Sequence, residues 1–351
     1  MPILKDNSPS MIVSDFTLNS RSCITKENML TSQSSFSKMM SLFITHKPMD
    51  VGMEILQKNF KDIDFPQNWK DMTRKEFLEH ARNADVIYAR GSDLINKDVL
   101  DSPKLKMVSV AAAGADKIDM DYATQRGIVV SNTHVTLADT CADTLMGILI
   151  ACSRRIVEGD NYVRNGGWMK KPTRIWGLDI HHKTMGIIGA GHIGKAIAKR
   201  AQGFDMKVLF NDLGEGFTPL DQLLKQSDFV VAACPLTEKT RNLISRNEIA
   251  LMKPTAVLAN IGRGPVFDIE AVADALEKKR IYGAALDVVD PEPFPPTHRI
   301  LKNKNLVITP HIGSSTIETT NNMAIESANA CVYFLNGQRV PNVSNPKVYE
   351  K

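Results

Sequence analysis

No block of lysine and arginine, and no interleaving of basic with aromatic residues, occurs anywhere in this chain, so it offers nothing suited to a nucleic-acid backbone. Charge is nearly balanced, with Lys+Arg 43 against Asp+Glu 39 and a formal net charge of +4. No apolar run has the length a membrane-crossing helix needs. The cysteines (Cys23, Cys141, Cys152, Cys234, Cys331) are odd in number and contain no C-x-x-C pair, which argues against a disulfide framework and the common zinc patterns. They read as reduced, mostly buried thiols. His181-His182 has no paired ligands at a suitable spacing, so no metal site is expected. A secretory apolar core is missing, and the closing Val348-Tyr349-Glu350-Lys351 is not a peroxisomal address.

Residues 1–40 are rich in Ser, Thr, Asn and Met with little apolar periodicity, and are read as a poorly ordered extension. Asp6, Asp15 and Glu27 argue against a presequence, so a cytoplasmic location is expected, with mitochondrial import as the alternative.

The chain's most informative stretch is Thr184–Arg200, TMGIIGAGHIGKAIAKR. An apolar run breaks at Gly189-Ala190-Gly191 and resumes after Gly194 as a helical pattern, with Ile193, Ile197 and Ala201 on one face. Strand, tight turn and helix with G-x-G-x-x-G across the junction predict a dinucleotide phosphate site. Gly189 permits the turn, Gly191 lets backbone approach a pyrophosphate, and Gly194 lets helix and strand pack closely. A second strand ends at Asp212, about eighteen residues on, where such folds place an acid for the adenosine ribose. Further strand-like runs alternate with helical ones at 229–233, 256–261, 283–289 and 306–309. Upstream, the runs at 41–47, 84–90, 105–111 and 127–132 alternate with helical stretches at 51–59 and 75–83.

The expected fold is therefore α/β, with two Rossmann-like or flavodoxin-like parallel-sheet domains and a cleft between them. Residues 134–315 form the nucleotide domain, inserted in a substrate domain made of 41–133 and 316–351. Thr136–Ile156 is predicted as one long helix, apolar over much of its surface and therefore either buried between domains or shared with a second subunit, the homodimer face being the preferred reading; 161–172 is predicted as a loop.

Arg263, Glu292 and His311 each stand just after one of three successive strands. Parallel strands would project all three from the sheet edge that carries Gly189, which predicts a catalytic cluster beside the cofactor. Arg90-Gly91 and Ala113-Gly114 follow strands of the first domain, where backbone N–H groups can hold an anion.

Four ordered stretches, GIIGAGHIG (186–194), NIGRGPVFD (260–268), ALDVVDPEP (285–293) and TPHIGSST (309–316), resemble the D-isomer-specific 2-hydroxyacid dehydrogenase family. The resemblance runs from about Met40 to Gly337, and VRNGGW (163–168) with DPEPFPPTH (290–298) brings it nearest to glyoxylate/hydroxypyruvate reductases. It implies NAD(P)H-dependent reduction of a small 2-oxo acid, with His311 as proton donor and acceptor, Glu292 bonded to its ring and Arg263 on the substrate. Cofactor contacts implied by the resemblance are Ala190, Gly191, His192 and Ile193 at the phosphates and Cys234-Pro235 beside the adenine. Ile261 and Asp287 are implied near the nicotinamide, and Gly262 and, after the histidine, Gly313 are further implied cofactor contacts. The substrate carboxylate would meet Arg90, Gly91, Ala113 and Gly114. His192 stands where the family more often has arginine. Asp212 favours NAD over NADP, since a carboxylate repels a 2′-phosphate. The rivals are a corepressor-like NADH-binding scaffold, against which Ser314-Ser315-Thr316 counts, and other dehydrogenases of the family, for 3-phosphoglycerate or formate.

Overall fold

Several strands are short apolar runs buried on both faces, as parallel sheets with helices on each side require. In the computed structural model, which describes residues 40–170 and 174–350, they assemble into two wholly parallel sheets. The first contains β1 (Ser41–Ile44), β2 (Asp62–Asp64), β3 (Val86–Ala89), β4 (Met107–Val110) and β5 (Val129–Ser131) in the order β2-β1-β3-β4-β5. The second contains β6 (Thr184–Ile188), β7 (Lys207–Asn211), β8 (Phe229–Ala232), β9 (Val257–Asn260), β10 (Gly283–Leu286) and β11 (Leu306–Ile308), in the order β11-β10-β9-β8-β6-β7. Strand order reverses between β6 and β8, and ligands of open α/β sheets gather outside the carboxyl ends at such a point.

The chain crosses between the sheets twice. The helix Ala138–Ser153 follows β5 and buries Cys141, Leu145, Leu149 and Cys152 against Met185, Ile187, Phe229 and Val257 of the second sheet. The helix Ile317–Leu335 follows β11 and returns to the first sheet, burying Ala328, Cys331 and Leu335 with Leu42, Ile44 and Tyr88. Gly52 lets the helix Asp50–Asn59 approach it closely: a Cβ there would lie 2.9 Å from that of Ala324.

The structure corrects the sequence reading at three places. The helix expected over 136–156 breaks at Arg155, which has φ 55 and whose guanidinium donates to Glu158 and Asn305. Its apolar surface is already used within the chain, so the reason for giving it to a second subunit no longer holds. The segment 161–172, expected as a loop, is partly helical: Ile156–Arg164 is a helix whose last turn carries an Arg164–Asp160 pair, and Gly167–Lys170 adds a turn. Gly166, at φ 70, ends the helix rather than excluding it. The edge strand β2 escaped notice because Asp62-Ile63-Asp64 has only one apolar residue to signal it. The extension proposed at 1–40 lies outside the described residues except for Met40.

Among the described residues, no helix is long and apolar enough to cross a membrane.

Candidate active site

The site starts at the end of β6. Gly189 takes φ +105, and a Cβ on it would lie 2.8 Å from the Ala233 carbonyl oxygen. A Cβ on Gly194 would lie 2.0 Å from the Gly189 carbonyl oxygen. These two positions exclude side chains by backbone contact, whereas Gly191 faces open space. No side chain caps the helix His192–Gln202, so its first-turn N–H groups are left for an anion. Asp212, after β7, accepts from Ala190 N–H at 2.6 Å and Leu213 N–H at 2.7 Å, placing a carboxylate on the rim of the same turn. Cys234 follows β8 against Gly189, and Gly262 packs on its carbonyl oxygen, where a Cβ would come within 2.7 Å. This cradle fits a dinucleotide: open backbone for a diphosphate, and an acid for a ribose.

Arg263, Glu292 and His311 come from the ends of the adjacent strands β9, β10 and β11. His311 Nδ1 lies 2.9 Å from Glu292 Oε2, while Glu292 Oε1 accepts from Val289 N–H at 3.1 Å. A carboxylate at Nδ1 keeps the proton there, so Nε2 is the nitrogen that exchanges protons with a ligand. His311 has φ 56, a left-handed backbone held by its N–H donating to Asp287 O at 2.9 Å. Asp287 organises the rest of this turn. Its buried carboxylate accepts from Thr309 Oγ1 at 2.7 Å, Ile312 N–H at 2.9 Å and Gly313 N–H at 2.8 Å. The acid's oxygens are thus turned to the Thr309 hydroxyl and to the backbone just after the histidine.

Arg263 sits on a loop clamped by buried Asn260, whose side chain accepts from Gly262 N–H and donates to Arg263 O. A Cβ on Gly264 would lie 1.9 Å from Val289 O, so this loop packs tightly on the one carrying Glu292. The guanidinium reaches the first lobe: Nε donates to Asp116 Oδ1 at 2.9 Å, Nη1 donates to Gly262 O at 2.8 Å, and Nη2 lies over Gly114. Asp116 was not singled out from sequence, because it lies inside a loop and not at a strand end.

The other first-lobe positions lie close by. Gly91 packs on Ala112 and near Gly114 O, so the Arg90-Gly91 turn adjoins Arg263. The Arg90 side chain itself pairs with Asp93 at 3.0 Å, an acid that also accepts from Arg90 N–H and Thr45. Ala113 packs on the core of the second sheet, and its carbonyl accepts from Asn132 Nδ2 at 2.7 Å. At the phosphate turn, His192 lies beside His134, with ring centroids 5.1 Å apart. His134, absent from the sequence reading, is held below the usual imidazole range by burial and then by His192, with Glu326 opposing. Burial pushes Cys141 up to about 12 and Cys234 up to about 11, with Asp287 and Asp212 respectively adding to the rise. Both thiols are buried and pack with the apolar core.

A family model for the NAD-binding domain of D-isomer specific 2-hydroxyacid dehydrogenases matches residues 146–313. The glyoxylate reductase of Thermococcus gammatolerans is 39% identical over 323 residues, 88% of this chain and 96% of that protein. The crystal structure of a glyoxylate reductase from Paecilomyes thermophila superposes with TM-score 0.79 at 27% identity, covering 89% of this chain and 99% of that one. An NADPH-dependent glyoxylate/hydroxypyruvate reductase from Sinorhizobium meliloti, solved with NADP and malonate, gives TM-score 0.77 at 26% identity over 88% and 97% of the two chains. With the fold, the phosphate turn and the strand-end trio in agreement, the chain belongs to the D-isomer specific 2-hydroxyacid dehydrogenase family.

Proposed function

We propose that this chain reduces glyoxylate or hydroxypyruvate to the D-2-hydroxy acid, with NADH as its preferred donor. The observation that carries this reading is the His311–Glu292 pair standing one strand from Arg263, on the sheet edge that holds the phosphate turn. The names of the relatives, glyoxylate reductases, support the substrate class.

When bound, the nicotinamide supplies the hydride. The protein's part is to bind, polarise and protonate. Arg263 takes the carboxylate on its free edge and draws electron density from the C2 carbonyl, a charge-assisted contact worth about 1.5–3 kcal/mol. Backbone N–H groups near Gly91 and Gly114 share the same anion. As C2 gains the hydride, its oxygen takes the proton from His311 Nε2, and the product leaves as a 2-hydroxy acid with its carboxylate still ionised. Glu292 holds the ring through Nδ1 and fixes its tautomer throughout. Oxidation of the hydroxy acid runs the same proton back to Nε2.

Steady-state rates for a panel of 2-oxo acids with each nicotinamide test this. Glyoxylate or hydroxypyruvate should lead the panel. NADH should exceed NADPH in kcat/KM by about tenfold or more, since the Asp212 carboxylate opposes a 2′-phosphate. Asp212→Ser should narrow that ratio. An inert panel sinks the activity; an NADPH preference sinks the cofactor assignment alone.

The enzyme is further proposed to be a homodimer. The surface now pointing to this lies beyond the helix Ala138–Ser153: Trp168, Met169 and Trp176 are 65%, 92% and 73% exposed, with Ile156, Val157 and Val163 nearby. Large exposed apolar side chains within one stretch of the chain suit an association surface. Light scattering should give twice the chain mass at micromolar concentration, and Trp168→Glu with Met169→Glu should shift it toward monomer. A monomeric native protein would rule the dimer out.

A further inference from the structure

We propose that Asp116 is a positioning residue that fixes which edge of the Arg263 guanidinium faces the 2-oxo acid. The proposal rests on the reading of Arg263 as the substrate arginine and adds a residue from the opposite lobe to its control.

An arginine side chain has several rotatable bonds, and its fork recognises a carboxylate only when its plane is fixed. Arg263 has two tethers on its two sides: Nη1 to the Gly262 carbonyl at 2.8 Å and Nε to Asp116 at 2.9 Å. With Nε–H and one Nη1–H engaged, the N–H groups left for a ligand are those of Nη2 and the second on Nη1. The end-on edge of the fork takes one N–H from each of these two nitrogens. Without Asp116 the side-on edge, Nε with Nη2, would compete for the same anion and turn the C2 carbonyl away from His311.

The frame behind Asp116 is firm enough for this role. Ile95 N–H donates to Lys117 O at 2.9 Å, Asp119 N–H donates to Ile95 O at 3.1 Å, and Ile118 N–H donates to Ala115 O at 3.0 Å. Ile118 itself is buried. Both partners are partly exposed, with side-chain accessibilities of 26% and 27%, so the pair stands at the rim where the lobes meet. An acid beside a site for an anion opposes binding by Coulomb repulsion. A carboxylate here therefore makes sense as an orienting group and not as an aid to affinity.

The test uses the full chain with NADH and its best 2-oxo acid, measuring kcat, KM, NADH affinity by fluorescence, and melting temperature. Asp116→Ala should lower kcat by about 10–30-fold, as a misplaced reactant does, with NADH affinity unchanged. Asp116→Asn keeps an oxygen acceptor for Nε–H and should recover kcat to within about threefold of wild type. An Ala variant with wild-type kcat overturns the proposal, as does one with a lowered KM and undiminished kcat, which would make Asp116 a competitor for Arg263. Equal losses in both variants, accompanied by weaker NADH binding or a lowered melting temperature, would overturn it in favour of a purely structural role. A wild-type protein inert toward every 2-oxo acid removes the substrate reading and this proposal together, whereas an active wild type with an unaffected Ala variant removes this one only.

Discussion

Replacing His311 should lower 2-oxo acid turnover by about 10²–10⁴-fold while NADH affinity stays within a few-fold of wild type. Among the described residues the imidazole's side-chain partner is Glu292, and about half of its surface is free, so little packing depends on it. Its backbone needs more care. At φ 56 the residue occupies a left-handed conformation, which asparagine tolerates better than alanine. His311→Asn is therefore the sharper variant, because it deletes the proton carrier while leaving the turn over Asp287 in place. Glu292→Gln should cost less than either His311 variant. Since Glu292 acts through the ring, adding it to His311→Asn should produce little further loss. Full turnover in His311→Asn would take the histidine out of the mechanism.

That expectation was available from the sequence because the trio obeys a simple rule: successive strand ends of a parallel sheet share one edge. Gly189 and Gly194 were legible for a similar reason, since a tight strand-to-helix turn leaves a local pattern. Asp212 was reachable by its distance from that turn. Asp116 was not legible, because its partner Arg263 is remote in sequence and the pairing depends on how two lobes face each other. Asp287 is expected near the nicotinamide, and its hydrogen bonds from Thr309 Oγ1 and from the Ile312 and Gly313 N–H groups also brace the turn carrying His311, a second task that only coordinates reveal. The helix Ile156–Arg164 was missed because the glycine pair after it was weighed more heavily than the i,i+4 pair within it.

The glycines of the two lobes separate function from folding in a second large effect. A Cβ on Gly114 would lie 1.3 Å from Arg263 Nη2, 2.6 Å from its Cζ and 2.7 Å from Asp116 Oδ1. Its nearest obstacle is the far end of a flexible side chain, which can swing aside. Gly114→Ala should therefore fold with a near-native melting temperature and bind NADH normally. The guanidinium it expels would lose its contact with Asp116 and its place beside the carbonyl. A displacement of an ångström or more at such a contact lowers kcat/KM by about 10²-fold. Gly264→Ala should behave in the opposite way. Its Cβ would meet Val289 O at 1.9 Å and Val289 C at 2.1 Å, which is backbone and cannot rotate away. That variant should lose stability through overpacking, by about 1–3 kcal/mol or more, and disturb Glu292 with it. The contrast is the useful measurement, since both substitutions add one methyl group next to the same arginine loop. If Gly114→Ala kept wild-type kcat/KM, the working position of Arg263 would have to lie away from the first lobe, and the carboxylate-binding role assigned to that guanidinium would fall.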